Sequence, residues 1–414
     1  MFLPVILYIN RSVDEEQAKK FPLPCSSPYF VQSIEFNQIM YIHSLIIEQL
    51  RNHEHTSLTC SPGLNIISGL NGTGKTTILE AISICGLSKS FLPGTDADLI
   101  QRGKNSYTVS LHALSDLGIP YKVGVRYVEG QRKLINSSIG DRMNPKDILG
   151  ELPLIVLSPD FKEITFGSPD DRRRFMDALL SQAKHVYVDA AITLRRILKQ
   201  RNAMLQKARM QGIRPDDDLL DVLTSSMIES GSTLASLRAQ FIRDFTPYFL
   251  QAYETMTSRN ESVGIAYVPD TAQGQDLFTK EDFSESYMLA YRSLKEDEIR
   301  RATSLFGPQK DDLEISINGG RARETASQGQ HKSLLISIKW AEFTYLRDVR
   351  NETPILLFDD IFSELDGERT EKVLQQVLDS GAQTFITTTE GEKLIGALPE
   401  NMEYEHIKMP LQSE

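Results

Sequence analysis

The stretch Gly69-Leu70-Asn71-Gly72-Thr73-Gly74-Lys75-Thr76 reads G-x-x-x-x-G-K-T, and few patterns restrict a fold as tightly. Such a loop needs a buried strand to deliver the chain and a helix to carry it away. The loop turns its backbone N–H groups inward around an anion, and the helix aims its positive end at the same point. Both flanks are present: Leu64-Asn65-Ile66-Ile67 reads as the strand and Thr77-Ile78-Leu79-Glu80-Ala81-Ile82 as the helix. Gly69, Leu70, Asn71, Gly72, Thr73, Gly74, Lys75, Thr76 and Thr77 are therefore the candidate ATP-binding residues. Lys75 suits the β- and γ-phosphates, and the Thr76 hydroxyl suits Mg²⁺. The plainer alternative is a glycine-rich turn that holds no ligand.

A chain of 414 residues has room for two or three domains. Residues 1–39 look foreign to the rest. Phe2 to Ile9 is apolar but short, with no basic segment before it and no small-residue cleavage site after it, so a signal peptide is not expected. Residues 1–39 are expected to be a loose tail, or Met40 to be the true start. No apolar run approaches the ~20 residues needed to span a bilayer, so no membrane is expected. Cys25, Cys60 and Cys85 share no metal-like spacing and imply no disulfide framework, which fits a reducing cytoplasm.

From 41 to about 165 the pattern is strand-rich around one helix. Tyr41 to Ile47, Leu58 to Cys60, Tyr107 to Leu111, Tyr121 to Val125 and Leu154 to Leu157 all carry strand signals. Residues 169–300 change character, with helical stretches over 172–209 and 219–256 divided by Gly212 to Asp218, whose Asp run reads as a solvated loop or helix start. Strand signals return at Leu313 to Ile317 and Ile355 to Phe358. The expected architecture is α/β: a nucleotide-binding head from 40–165 and 300–414, split by a mainly helical arm over 166–299.

Ile355-Leu356-Leu357-Phe358-Asp359-Asp360 is an apolar run ending in two carboxylates. A buried parallel strand would deliver both acids at its C-terminal end, where α/β ligands bind. Asp359 suits the Mg²⁺ shell, and Asp360 suits polarising an attacking water. Ser327-Gln328-Gly329-Gln330 precedes an amphipathic helix through Trp340 and Leu346; by itself this reads as a plain N-cap.

In order, phosphate loop, Ser-x-Gly, acidic strand and Ser363-Glu364-Leu365-Asp366 resemble the ABC-type ATPase head. Leu50-Arg51-Asn52, Ser158-Pro159-Asp160, Arg172 to Asp177, Leu198 to Asn202, Phe306 to Leu313 and Asp359 to Asp366 narrow the resemblance, over about 40–405, to the RecF family of bacterial recombination mediators. That family is similar to an SMC-type head without the long coiled coil, and here only about 250 residues separate Lys75 from Ser327, with no sustained heptads. The resemblance implies two ATPs sandwiched between two heads. Ser327, Gly329 and Gln330 of one chain would face the γ-phosphate held by the other, with Arg51 and Asn52 at the nucleotide. It also implies slow, DNA-stimulated ATP hydrolysis, an ATP-dependent homodimer that binds DNA and helps load the recombinase at gaps, and RecR and RecO as partners. The departures are Leu50 for the usual aromatic, Ala326 at the start of the signature, Gln328 for the ABC glycine, and threonines 387–389 where a switch histidine should stand. The nearest candidate for a Q-loop glutamine is Gln101.

Residues 172–214 hold eleven Lys or Arg against two acids in a chain of net charge −11. At about 100° per residue Arg195, Arg196, Lys199 and Lys207 share one helical face; Leu194, Ile197, Leu198, Met204 and Leu205 share the other. Arg201 falls among the apolar residues and is expected to be buried and paired. The basic face can track a phosphate backbone without reading sequence, on single- or double-stranded DNA, or can simply be solvated. A transporter's nucleotide-binding subunit shares the loop, signature and acidic strand, but the basic helical arm speaks against it. An architectural SMC-like ATPase is the other alternative.

Overall fold

The computed structural model describes residues 39–159, 163–257, 261–271, 277–399 and 402–409. The expected N-terminal tail, 1–39, lies outside them except for Ile39. Gln38–Glu414 forms one compact unit. The strands β1 (Tyr41–Leu50), β2 (His53–Thr59) and β3 (Leu64–Ser68) lead into α1 (Lys75–Leu87), and β4 (Ser106–Leu114), β5 (Pro120–Val128), β6 (Leu134–Ser137) and β7 (Leu154–Leu157) follow. Next come α2 (Glu163–Phe166), α3 (Pro169–Ala183), α4 (His185–Gln211), α5 (Asp217–Met256), β8 (Val263–Val268) and α6 (Lys280–Arg301). The chain returns through β9 (Asp312–Ile317), β10 (Gly320–Arg321), α7 (Ala322–Thr325), α8 (Gln328–Arg350), β11 (Ile355–Asp359), α9 (Gly367–Ser380), β12 (Thr384–Thr388), α10 (Gly391–Gly396) and β13 (Tyr404–Lys408).

The nucleotide-binding part of the head is built on two sheets with one helix between them, and a third sheet, β10-β9-β8, lies apart from both in the strand order. The parallel sheet runs β13-β3-β12-β11-β7 and the antiparallel sheet β2-β1-β4-β5-β6. Every residue of β3, β7, β11 and β12 is buried, as strands covered on both faces must be. In β4, buried residues alternate with more accessible ones, because only one face meets the core. Between the sheets lies α1, with eleven of its thirteen residues buried, which requires an apolar surface all round. Ile78, Leu79 and Ile82 share a core with Ile47 and Val109 on one side and Leu357 and Phe385 on the other.

The opposite face of the parallel sheet joins the helices. Ile66, Leu356 and Ile386 belong to the same core as Phe175 of α3, Phe245 of α5 and Leu334 of α8. A continuous helix of 40 residues, α5 spans about 60 Å. Its Phe241, Phe245 and Tyr248 surround Tyr345 of α8, with ring centroids 5.3, 5.9 and 5.8 Å away. The helical stretch expected over 172–209 is two helices, because Lys184 takes an extended conformation (φ −141°, ψ 111°) between α3 and α4. The Asp run begins a helix: the Asp216 side chain accepts from Leu219 N at 3.0 Å and caps α5.

Arg201 is fully buried, as its place on the apolar face requires. It donates to Glu298 Oε2 at 2.6 Å, Thr224 Oγ1 at 3.0 Å and Ser304 Oγ at 2.7 Å, joining α4, α5 and the end of α6. Arg201→Ala would strand the buried Glu298 carboxylate and is expected to destabilise the protein by about 3–5 kcal/mol in denaturant unfolding. Arg201→Met with Glu298→Met should recover most of that loss. A single variant as stable as wild type would show that the pair contributes nothing.

Candidate functional site

The carboxyl ends of the parallel strands gather the groups that the sequence marks. The phosphate loop leaves β3, the two aspartates end β11, and β12 lies between those strands. Gly69 follows β3 with φ +156°, and a Cβ there would stand 2.6 Å from the Met409 carbonyl oxygen. Gly74 caps α1 in the left-handed conformation (φ 97°); a Cβ there would meet His53 Nε2 at 2.4 Å. Both positions therefore require glycine. No side chain caps α1, so its first N–H groups remain directed at the loop.

Lys75 is buried, and its ammonium donates to the carbonyls of Gly69 at 2.7 Å and Leu70 at 2.9 Å. Burial holds its pKa below the ordinary lysine value, against the pull of Asp360 and Asp359. Thr76 Oγ1 donates to Asp359 Oδ1 at 2.7 Å, and Thr387 Oγ1 donates to the same oxygen at 2.8 Å. The Asp360 N–H donates to Thr387 Oγ1 at 3.0 Å. Thr387 thus fastens the Asp359 carboxylate and the Asp360 backbone from the middle strand. The register sets this up, since Asp359 lies opposite Thr387 in the parallel pair. Asp360 has φ 50°, and its Oδ1 is buried without a hydrogen-bond partner among the described residues. Burial raises the Asp360 pKa; Lys75 opposes this, and Asp359 and Glu364 add to it.

The turn between β1 and β2 braces the loop. Asn52 Nδ2 donates to the Gly72 carbonyl at 3.2 Å, and Thr77 Oγ1 donates to Asn52 Oδ1 at 3.4 Å. Arg51, itself at φ 52°, forms a two-pronged pair with Glu80 of α1 at 2.9 and 2.8 Å. His53 Nε2 lies 3.1 Å from the Gly74 carbonyl and Nδ1 2.8 Å from Thr56 Oγ1. Burial lowers the His53 pKa, against the hydrogen bond that Nε2–H donates to the Gly74 carbonyl. His53, Glu80 and the brace at Thr387 were not legible as site residues. The strand register reveals Thr387, and the approach of the β1–β2 turn to the loop and α1 reveals His53 and Glu80.

Ser327 caps α8, and with Gln330 it forms a reciprocal pair: Ser327 N donates to Gln330 Oε1 at 2.7 Å, and Gln330 N donates to Ser327 Oγ at 3.3 Å. Ser327 is exposed, and Gly329 and Gln330 beside it are half-buried. Among the described residues no hydrogen bond links Ser327, Gly329 or Gln330 to the phosphate loop of the same chain. Gln101 sits at the antiparallel sheet, where its N–H donates to the Gln49 carbonyl at 2.8 Å. The strand paired beside β11 is β7, which continues into Ser158 and Pro159.

On α4, Arg195, Arg196, Lys199 and Lys207 are exposed and form no ion pair with another described residue. Leu194, Ile197 and Leu205 are buried on its other face. The remaining cations of the stretch are largely engaged: Arg172 with Asp312, Arg173 with Asp170, Arg174 with Asp171 and Arg214 with Glu296.

As a class, this architecture is an ABC-type ATPase head with an inserted helical region. The RecF/RecN/SMC N terminal domain matches residues 41–403. The chain is 37% identical over 355 residues to the DNA replication and repair protein RecF of Chloroherpeton thalassium, covering 85% of this chain and 95% of that protein. It is 35% identical over 353 residues to that of Chlorobium limicola, covering 85% and 96%. A solved structure of the recombination mediator protein RecF with ATPrS, in the RecFOR pathway, superposes with a TM-score of 0.81 at 25% identity, covering 90% of this chain and 97% of that one. The chain belongs to the RecF family.

Proposed function

We propose that this protein is an ATP-gated DNA-binding ATPase of recombinational repair, in which two heads close on two ATPs and present their helical arms to DNA. The observation that carries the nucleotide half is the convergence of Lys75, Thr76, Asp359 and Asp360 beyond the ends of β3 and β11, where Thr76 and Thr387 both bond the Asp359 carboxylate and Thr387 also holds the Asp360 backbone. The residues suit the groups they would hold. A hydroxyl and a carboxylate 2.7 Å apart are hard oxygen donors of the kind Mg²⁺ takes, leaving its other positions to water and phosphate. Mg²⁺ held by Thr76 and Asp359 would neutralise phosphate charge. Lys75 would bind the β- and γ-phosphates, the glycine-rich loop would ring them with N–H groups, and the partnerless Asp360 oxygen would orient and deprotonate the attacking water. A weak ATPase that DNA stimulates is consistent with threonines in place of a switch histidine.

Ser327, Gly329 and Gln330 are offered to the second head. The exposure of Ser327 and the separation of all three from the phosphate loop of their own chain suit a role across an interface. RecF relatives bear the names of replication, repair and the RecFOR pathway, and on that basis RecR and RecO are the proposed partners. The four unpaired cations on α4 are the proposed contacts to the phosphate backbone of single- or double-stranded DNA. In this reading the arm is 166–299, the head is the remainder from residue 40, and the cytoplasm is the compartment. The second contact within a two-armed dimer is intramolecular, so it adds to the first at high effective concentration.

ATP dependence of dimerisation and of DNA binding, measured on one sample, tests this reading. DNA binding should require ATP and weaken steeply with salt. Reversing Arg195, Arg196 and Lys199 to Glu should weaken DNA binding while ATP-driven dimerisation persists, and each lost phosphate contact should lower the salt slope by about one. If the triple reversal binds DNA normally at moderate salt, the face is only solvated surface.

A further inference from the structure

Arg369, near the start of α9, is unmarked by the sequence motifs. Its guanidinium reaches three partners on two elements: the Asp366 carboxylate that caps α9, the Gly329 carbonyl at 3.1 Å and Ser333 Oγ at 3.2 Å. Its side chain is only 22% exposed, so these bonds are partly shielded from water. Lys332 closes the same seam from the opposite side, its ammonium donating to the Glu364 carbonyl. A Cβ on Gly329 would stand 3.2 Å from Arg369 Nη2, so a side chain at 329 would crowd the contact. The Ser327–Gln330 pair holds its turn together internally. Among the described residues, Arg369 and Lys332 supply hydrogen bonds that join the start of α8 to the segment from Glu364 into α9.

We propose that Arg369 is a positioning residue that locks the Ser327–Gln330 turn to the Ser363–Asp366 loop, so that both meet an opposing head as one rigid piece. The inference rests on the two-head reading above. The three bonds leave from three nitrogens, Nε, Nη1 and Nη2, spread across a planar fork, whereas lysine presents its three donors from one point and cannot span the same separated acceptors. Without the fork the turn keeps its internal pair and the bond from Gln330 Nε2 to Glu261, but its tie to the Ser363–Asp366 loop must be made at the moment of closure. The cost falls on assembly and not on nucleotide capture, because Arg369 makes no contact with the phosphate loop.

The test compares the full-length wild type with Arg369→Ala, Arg369→Lys and Ser333→Ala. Each is titrated with ATP for nucleotide binding by the monomer, dimerisation in sedimentation, and turnover. For Arg369→Ala, monomer ATP affinity should hold, while the ATP concentration for half-maximal dimerisation and the KM should rise at least about tenfold, with kcat per dimer little changed. Arg369→Lys should keep most of that defect, because charge alone does not bridge the seam. Ser333→Ala should raise the requirement about threefold; it also carries the test if Arg369→Ala does not fold. Wild-type assembly in Arg369→Ala, full rescue by lysine, or no change in Ser333→Ala overturns the proposal. A wild-type protein that never dimerises with ATP overturns the two-head reading instead, so the two failures are distinct.

Discussion

Lys75→Ala is expected to abolish ATP binding, lowering affinity by about two orders of magnitude or more in titration calorimetry. Each charge-assisted bond to a phosphate oxygen contributes about 1.5–3 kcal/mol, and lysine would contact two phosphates. A second effect acts in the same direction. The ammonium already bonds the Gly69 and Leu70 carbonyls, so it stitches the loop it serves. Alanine removes the cation and the stitch together. An unchanged melting temperature would separate lost binding from lost folding. Affinity within tenfold of wild type would mean that the loop is a glycine-rich turn and not the nucleotide site.

Asp360→Asn should leave ATP binding within a few-fold of wild type and slow hydrolysis about 10²- to 10⁴-fold, because an amide cannot accept the water's proton. The substitution isolates chemistry from structure unusually well. Residue 360 sits at φ 50°, and asparagine tolerates that region as aspartate does. The backbone N–H bond to Thr387 Oγ1 is untouched. Alanine would add backbone strain of about 1 kcal/mol and confuse the result. Hydrolysis at the wild-type rate in single-turnover measurements would remove Asp360 as the base.

The phosphate loop and its flanks were legible because three local signals agree there: an apolar run, a glycine pattern and helical spacing. The apolar runs at Leu154–Leu157 and Ile355–Asp359 became strands for the same reason, since a strand buried on both faces carries its signal in every residue. β8 and β13 escaped. Val263–Val268 is six residues long and is held by pairing with β9, roughly fifty positions away. Tyr404–Lys408 buries only Ile407 fully, and it owes its place to β3. The break at Lys184 has no glycine or proline to announce it. The braces around the site were hidden for a related reason. Whether Thr387 meets Asp359, or His53 meets Gly74, is decided by strand register and by the approach of one turn to another. Neither is written in the residues themselves.

One feature of the helical region bears on how the two ligands influence each other. The far half of α5 grips Tyr345 of α8, the helix whose cap is Ser327, and the near half packs beside the basic helix α4. A rod shared by both surfaces makes them parts of a single lever. If DNA binds the arm and nucleotide the cap of α8, as proposed, work done by either ligand at its own surface would arrive at the other. Coupling of this kind is a property of the pair of ligands and has no direction. Whatever factor ATP lends to DNA affinity, DNA must return to ATP affinity in full, so a gap in DNA would act as the device that tells the protein to keep its nucleotide.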